Sequence, residues 1–331
     1  MCYNSKKVEN GNSVRQPDVE SQRKGEWHLN VSIIGAGSIG MLFAAYLSQA
    51  GHRVTLYTRS TRQAEELNKE GLTLYVGEVA VPFQVNACPL TDETIILDPY
   101  IVVAVKHHHL KTVASVIRNN EHEKVYLFVQ NGMGHLSFLE TLRNCDVLVG
   151  VVEHGAIKQS DTTVRHTGYG MVKIASFQGA MDDRHKSLIT SWQQKRFPIA
   201  FLPDWYAMLA NKLVANASIN PLTALFGVKN GQLLSNSYFF SLMKGLYEET
   251  VSVLEVRDND LWEHIRSICS QTADNESSML RDIKAKRRTE IDAINGYILK
   301  LGKERGKHLP YTAFVVNAIK GLEQVNEEGK D

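Results

Sequence analysis

Val31-Ser32-Ile33-Ile34-Gly35-Ala36-Gly37-Ser38-Ile39-Gly40 is the stretch that decides the fold class. A strand-length apolar run leads straight into a glycine turn, and a helical stretch over 41–49 follows before Ala50-Gly51 stops it. Gly35 permits the tight turn, Gly37 lets the backbone approach a pyrophosphate, and Gly40 lets helix and strand pack closely. Ala36, Ser38 and Ile39 complete the cradle, in which the free N–H groups of a helix N-terminus face phosphate oxygens. A second β-rich run over 53–58 closes a βαβ unit of about 30 residues, the context that gives a GxGxxG its meaning. The pattern predicts an α/β protein with an N-terminal Rossmann-type parallel sheet.

About 20 residues past the glycines, an NAD enzyme sets an acid against the ribose 2′-hydroxyl. This chain has Tyr57-Thr58-Arg59-Ser60-Thr61-Arg62 there. With arginine in place of the acid, Arg59 can grip the 2′-phosphate of NADPH through charge-assisted hydrogen bonds worth roughly 1.5–3 kcal/mol. Two further apolar runs, over 101–105 and 125–129, read as buried parallel strands. Lys106 and Gln130-Asn131-Gly132-Met133-Gly134 then lie beyond their carboxyl ends, where open α/β sheets bind ligands. Lys106 suits a second phosphate contact and equally a strand-end lysine in water. His107-His108-His109 lacks acidic or cysteine partners at metal-binding spacing, so exposed histidines at a helix start are expected and no metal.

A chain of 331 residues is about two domains long by the usual ~150 per domain. Residues 1–30 are polar, mixed in charge and without an apolar h-region, and are expected to be a disordered extension rather than a signal peptide. Residues 31–202 are assigned to the dinucleotide-binding part and 203–331 to a helical part, the composition shifting at Phe197-Pro198 to Pro203. A net charge of +1 is too balanced for a nucleic-acid or anionic-membrane binder that works by bulk charge. No apolar run approaches the ~20 residues that a membrane helix needs. The four cysteines are far apart, without CxxC spacing, which fits a reducing cytoplasm.

In the second half, Lys212, Asn216 and Asn220 follow one another at i+4 and so share one face of a helix that begins near Asp204. Asparagine is a mediocre helix former, so two in register with a lysine imply a partner outside the helix. Asn220 precedes Pro221, which leaves a second reading open: it N-caps a new helix with proline in first position. Ser278 and Glu290 in one straight helix would stand about 18 Å apart. A break is therefore expected, with Thr289 and Asp292 as a capping box that starts a fresh helix.

Together, the glycine turn, the Gln130 to Gly134 motif, Lys212 with Asn216 and Asn220-Pro221-Leu222-Thr223-Ala224-Leu225, and Ser277-Ser278-Met279 with Thr289-Glu290-Ile291-Asp292 and Asn295-Gly296 resemble the ketopantoate reductase family. The resemblance spans about residues 31–325. It implies NADPH-dependent reduction of 2-dehydropantoate to pantoate, on the route to pantothenate and coenzyme A. By position, Lys212 matches the family's catalytic lysine, and Glu290 its acid, which binds the substrate hydroxyl and helps hold that lysine. Asn216, Asn220 and Ser278 match substrate-binding positions, Asn131 lies between cofactor and substrate, and Arg59 and Lys106 match 2′-phosphate contacts. Three features depart from the pattern: the long N-terminal extension, Arg288 where many relatives have proline, and His109 in place of a glutamine. Chemistry agrees with the lysine's role, because charge that develops on a carbonyl oxygen needs a proton donor in reach. Burial should lower the pKa of Lys212 and Glu290 should raise it. Two other readings stay open: a reductase of another branched 2-oxo acid, and a non-catalytic NADPH sensor. A helical second part serves a monomer or a homodimer equally well.

Overall fold

The computed structural model describes residues 29–120, 122–256 and 258–328. The extension expected over 1–30 lies outside them except for Leu29 and Asn30. Twelve strands run in chain order among the described residues: β1 Asn30–Ile34, β2 Arg53–Thr58, β3 Leu72–Val76, β4 Val79–Phe83, β5 Asn86–Pro89, β6 Tyr100–Val103, β7 Val125–Phe128, β8 Asp146–Val152, β9 Gly155–Lys158, β10 Thr163–Gly168, β11 Val172–Gln178 and β12 Ile199–Phe201. Eight form one sheet in the order β12-β11-β8-β7-β6-β1-β2-β5. Its strands pair in parallel except β8 with β11. The centre is apolar on both faces, as in β6 and β7, where every residue is buried. Because β1 lies between β2 and β6, the chain changes direction across the sheet there, and a crevice opens at the carboxyl ends.

Helix α1 (Ser38–Gln49) is buried at every position from Gly40 to Leu47. An amphipathic helix on a single sheet would keep a wet face. This one has none because β4-β3-β10-β9 form a second sheet over its other side. Residues 163–174 are a continuous β-rich stretch, but the chain crosses from the small sheet to the large one between β10 and β11. A Cβ on Gly40 would stand 1.8 Å from the Gly35 carbonyl oxygen, so only glycine lets α1 start this close to β1. The remaining helices of this half are α2 (Thr61–Glu70), α3 (Leu110–Asn119), α4 (Leu136–Leu139) and α5 (Asp183–Thr190).

From α6 (Trp205–Phe226) onward the described chain is helical: α7 Gln232–Ser235, α8 Ser237–Leu254, α9 Leu261–Gln271, α10 Ser278–Lys284, α11 Asn295–Glu304 and α12 Pro310–Glu328. The Asp204 carboxylate caps α6 by accepting the Ala207 N–H at 3.0 Å, and Gly227 ends it in the left-handed region at φ +66°. With helices packed around it and β8 and β11 beneath it, α6 is buried along most of its length. Pro221 does not break it, so Asn220 is an interior residue and not the N-cap of a new helix. Among the described residues, no helix is long and apolar enough to cross a membrane.

Candidate active site

The turn after β1 is open where a phosphate would lie. Gly35 has φ +108°, no side chain caps the N-terminus of α1, and a Cβ on Gly37 would meet nothing within 4 Å. The cradle of Gly35, Ala36, Gly37, Ser38, Ile39 and Gly40 therefore fits an anion held by backbone N–H groups. Gln63, which the sequence did not mark, braces it from α2 by donating Nε2 to the Ala36 carbonyl at 2.9 Å. Arg59 follows β2 at the same end of the sheet, with its guanidinium 3.4 Å from His109 Nε2.

Lys106 also stands at this end, but its ammonium is 2.6 Å from Asp282 Oδ2 on α10, and Arg287 holds the other carboxylate oxygen at 3.0 Å. The pair ties the sheet half to the helical half across the crevice. His107–His109 form a 3-10 turn before α3 and are half-buried, not exposed as expected. Burial lowers all three pKa values, that of His108 to about 4. No group of side chains suited to a metal ion occurs among the described residues.

At the same end of the sheet, residues 129–132 after β7 and 150–152 of β8 form the floor of a narrow cleft, and Leu209 and Lys212 of α6 form its wall. Gln130 secures the floor by donating Nε2 to the Val103 and Val105 carbonyls at 2.8 and 3.1 Å. Lys212 and Asn216 are half-buried and Asn220 is buried, one turn apart on an unbroken helix.

The expected break between Ser278 and Glu290 is present, but the fresh helix starts at Asn295 and not at Thr289. Residues 285–294 turn instead. Thr289 Oγ1 accepts the Ile291 N–H at 3.2 Å, and the Thr289 N–H goes to Glu323 of α12 at 2.6 Å, so Asp292 does not close a capping box. The turn lies against the 131–134 loop: Met133 N–H donates to the Ala293 carbonyl at 3.1 Å, and Gly132 at φ +80° passes so close that a Cβ would be 2.2 Å from that oxygen. Asn131 Nδ2 thereby reaches Glu290 Oε2 at 2.9 Å. Burial pushes the Glu290 carboxyl above the usual range. Hydrogen bonds from Asn131 and the His107 N–H and the charge of Lys106 oppose this, and the Asp282 charge adds to it.

Burial lowers the pKa of Lys212, as expected, but the carboxylate that raises it is Glu153, which follows β8, and not Glu290. Glu153 itself pairs with Lys173 of β11 at 2.6 Å, and that second ammonium lowers Lys212 further. Sequence reasoning missed Glu153 because the pairing of β8 with β11, which places it, is not local. Ser278, the first residue of α10, is exposed, and its neighbour Ser277 is the buried one, accepting the Thr223 hydroxyl proton at 2.7 Å.

Residues 31–179 match the sequence profile of the family described as "Ketopantoate reductase PanE/ApbA", and residues 204–323 match that of its C-terminal part. A Bacillus subtilis (strain 168) protein named 2-dehydropantoate 2-reductase is 40% identical over 298 residues, 89% of this chain and 98% of that protein. A Listeria innocua protein of the same name is 38% identical over 300 residues, 90% of this chain and 98% of that one. The crystal structure of the probable 2-dehydropantoate 2-reductase of Bacillus subtilis superposes with a TM-score of 0.80 at 38% identity, covering 89% of this chain and all of that one. With an open glycine cradle, a lysine and two asparagines on one helix face, and an asparagine-bound glutamate across the cleft, this chain belongs to the ketopantoate reductase family.

Proposed function

We propose that the protein reduces 2-dehydropantoate to pantoate with NADPH, the step that leads toward pantothenate and coenzyme A. One observation carries this: the Lys212 ammonium, half-buried on α6, has no hydrogen-bond partner among the described residues and lines the cleft beside Asn131. A ketone that becomes an alcohol needs one hydride at carbon and one proton at oxygen. A nicotinamide cofactor held at the glycine turn would supply the hydride. Lys212 donates the proton to the carbonyl oxygen and stabilises the charge that develops there. Asn131 holds Glu290, whose carboxylate accepts a hydrogen bond from the substrate hydroxyl. Asn216, Asn220 and Ser278 supply neutral hydrogen bonds to the rest of the substrate.

The open turn at Gly35 to Gly40 supports a dinucleotide pyrophosphate at α1, and Arg59 supports a 2′-phosphate and hence NADPH over NADH. Because Lys106 is engaged by Asp282, Arg59 is the cation left for that phosphate. The free, buried thiol of Cys269 agrees with a reducing cytoplasm. The test is the loss of NADPH absorbance when 2-dehydropantoate is added, with NADH and other branched 2-oxo acids run alongside. Turnover of another oxo acid but not this one would move the function to that substrate; NADPH binding without turnover of any would leave a sensor.

A further inference from the structure

A 2-oxo acid carries a carboxylate next to the carbonyl that is reduced, and a carboxylate taken out of water needs a cation. Asn216, Asn220 and Ser278 are neutral. Most cations near them are already engaged: Lys106 and Arg287 with Asp282, Arg288 with Asp292 at 3.1 Å, and Lys284 with Glu276. Arg281 differs. Half-buried on α10, it has no ion pair or side-chain hydrogen bond among the described residues, and its Nε is shut off from solvent without an acceptor. Leaving a buried donor unmet costs free energy unless something arrives to accept from it.

Its position follows from how α10 lies on α6. Gly231 N–H donates to Ala273 O and Asn230 N–H to Asn275 O, both at 3.1 Å, and Thr223 bonds Ser277 at 2.7 Å. Residue numbers rise on one side as they fall on the other, so α10 runs back along α6 toward Asn220. Ser277 faces α6, and Arg281, four residues on, shares that side of α10 about 6 Å further along. Arg281 also stands one turn after Ser278 on the same helix. A long guanidinium side chain here can reach the space that Asn220 and Ser278 border.

We propose that Arg281 binds the carboxylate of the 2-oxo acid and thereby selects acids over neutral carbonyl compounds. The inference rests on the reduction assigned above. Planar, bidentate and permanently charged, a guanidinium matches a carboxylate better than the point charge of a lysine.

The test compares the wild-type enzyme with Arg281→Gln and Arg281→Lys, on 2-dehydropantoate and on its neutral primary amide, with a thermal melt for each. Loss of one charged, bidentate contact should raise KM for the acid by about 10–100-fold while kcat and KM for NADPH stay nearly unchanged. The preference for acid over amide should collapse in Arg281→Gln and be partly kept in Arg281→Lys. An Arg281→Gln enzyme that melts normally and keeps its preference would overturn the proposal; if that variant melts early, full preference and unchanged KM in Arg281→Lys would do so. Absence of wild-type turnover on 2-dehydropantoate would instead overturn the assigned reaction.

Discussion

Asn295 donates Nδ2 to the Ala217 carbonyl at 3.1 Å, and that carbonyl is the acceptor that Pro221, four residues on, cannot serve. A proline inside a helix ordinarily costs about 3 kcal/mol through its missing N–H and its ring clash. Here a side chain from α11 restores the bond, so α6 continues and keeps Lys212, Asn216 and Asn220 in one register. Asn295→Ala should therefore destabilise the protein by about 1–3 kcal/mol. Pro221→Ala returns the N–H and should recover part of that loss, as thermal melts of the two single variants and the double variant will show. Strictly additive costs would mean that Asn295 does not substitute for the missing donor.

Removing the proposed proton donor should slow the chemistry and spare cofactor binding. Lys212→Ala is expected to lower kcat about 10²–10⁴-fold, with NADPH affinity by fluorescence titration within a few-fold of wild type. Equal losses in both would assign the lysine to binding.

The Glu153–Lys173 pair sets up pH shifts of opposite sign. A general acid must be protonated, so activity should fall as pH rises through the pKa of Lys212. Glu153→Gln removes the charge that raises that pKa and should move the alkaline limb of the kcat profile to lower pH. Lys173→Met removes the charge that lowers it and should move the limb to higher pH. Limbs that move the same way in both variants would exclude an electrostatic origin.

Acid should destabilise the fold through its buried imidazoles. His135 is fully enclosed, and burial, with the charge of His107, lowers its pKa to about 3; His154 is held at about 4 by burial and His166. In the unfolded chain both titrate near 6.5. Between about pH 6.5 and 4 the unfolded state therefore binds more protons, and stability present above pH 6.5 is lost as pH falls, at up to about 1.4 kcal/mol per pH unit for each histidine. His135→Leu should flatten that slope in urea melts across the window. An unchanged slope would assign the acid sensitivity to other groups.

Cofactor choice should turn on one guanidinium. Arg59→Ser is expected to cut the preference for NADPH over NADH about 10–100-fold, mostly through KM for NADPH. If Lys106→Ala gives the larger loss, the ammonium must leave Asp282 when cofactor binds.

The first βαβ unit could be read locally because strand, turn and helix are consecutive and each glycine has a geometric duty within a few residues. The lysine–asparagine face of α6 could be read for the same reason, its spacing being helical. What could not be read depends on pairing between distant segments. Nothing near Asn295 says that its amide bonds the Ala217 carbonyl 78 residues earlier, in place of the N–H that Pro221 lacks, and so Asn220 reads equally as a cap. Thr289 looked like a helix start because its capping partner seemed to be Asp292, but Glu323 from α12 takes its N–H. Glu153 drew no notice because its neighbour Lys173 is set by the β8–β11 register, and Arg281 because having no partner leaves no trace in a sequence.

Its sequence separation predicts that the small sheet closes late in folding. Thr163 of β10 pairs with Thr73 of β3, and between them the chain must build β5 to β8 of the large sheet. Closing so long a loop is slow, since its entropy must be lost before any contact rewards it. Until it closes, α1 has one apolar side without a cover. The helix whose open N-terminus fits phosphates would then also offer an uncovered apolar side to a chaperone or an aggregating neighbour.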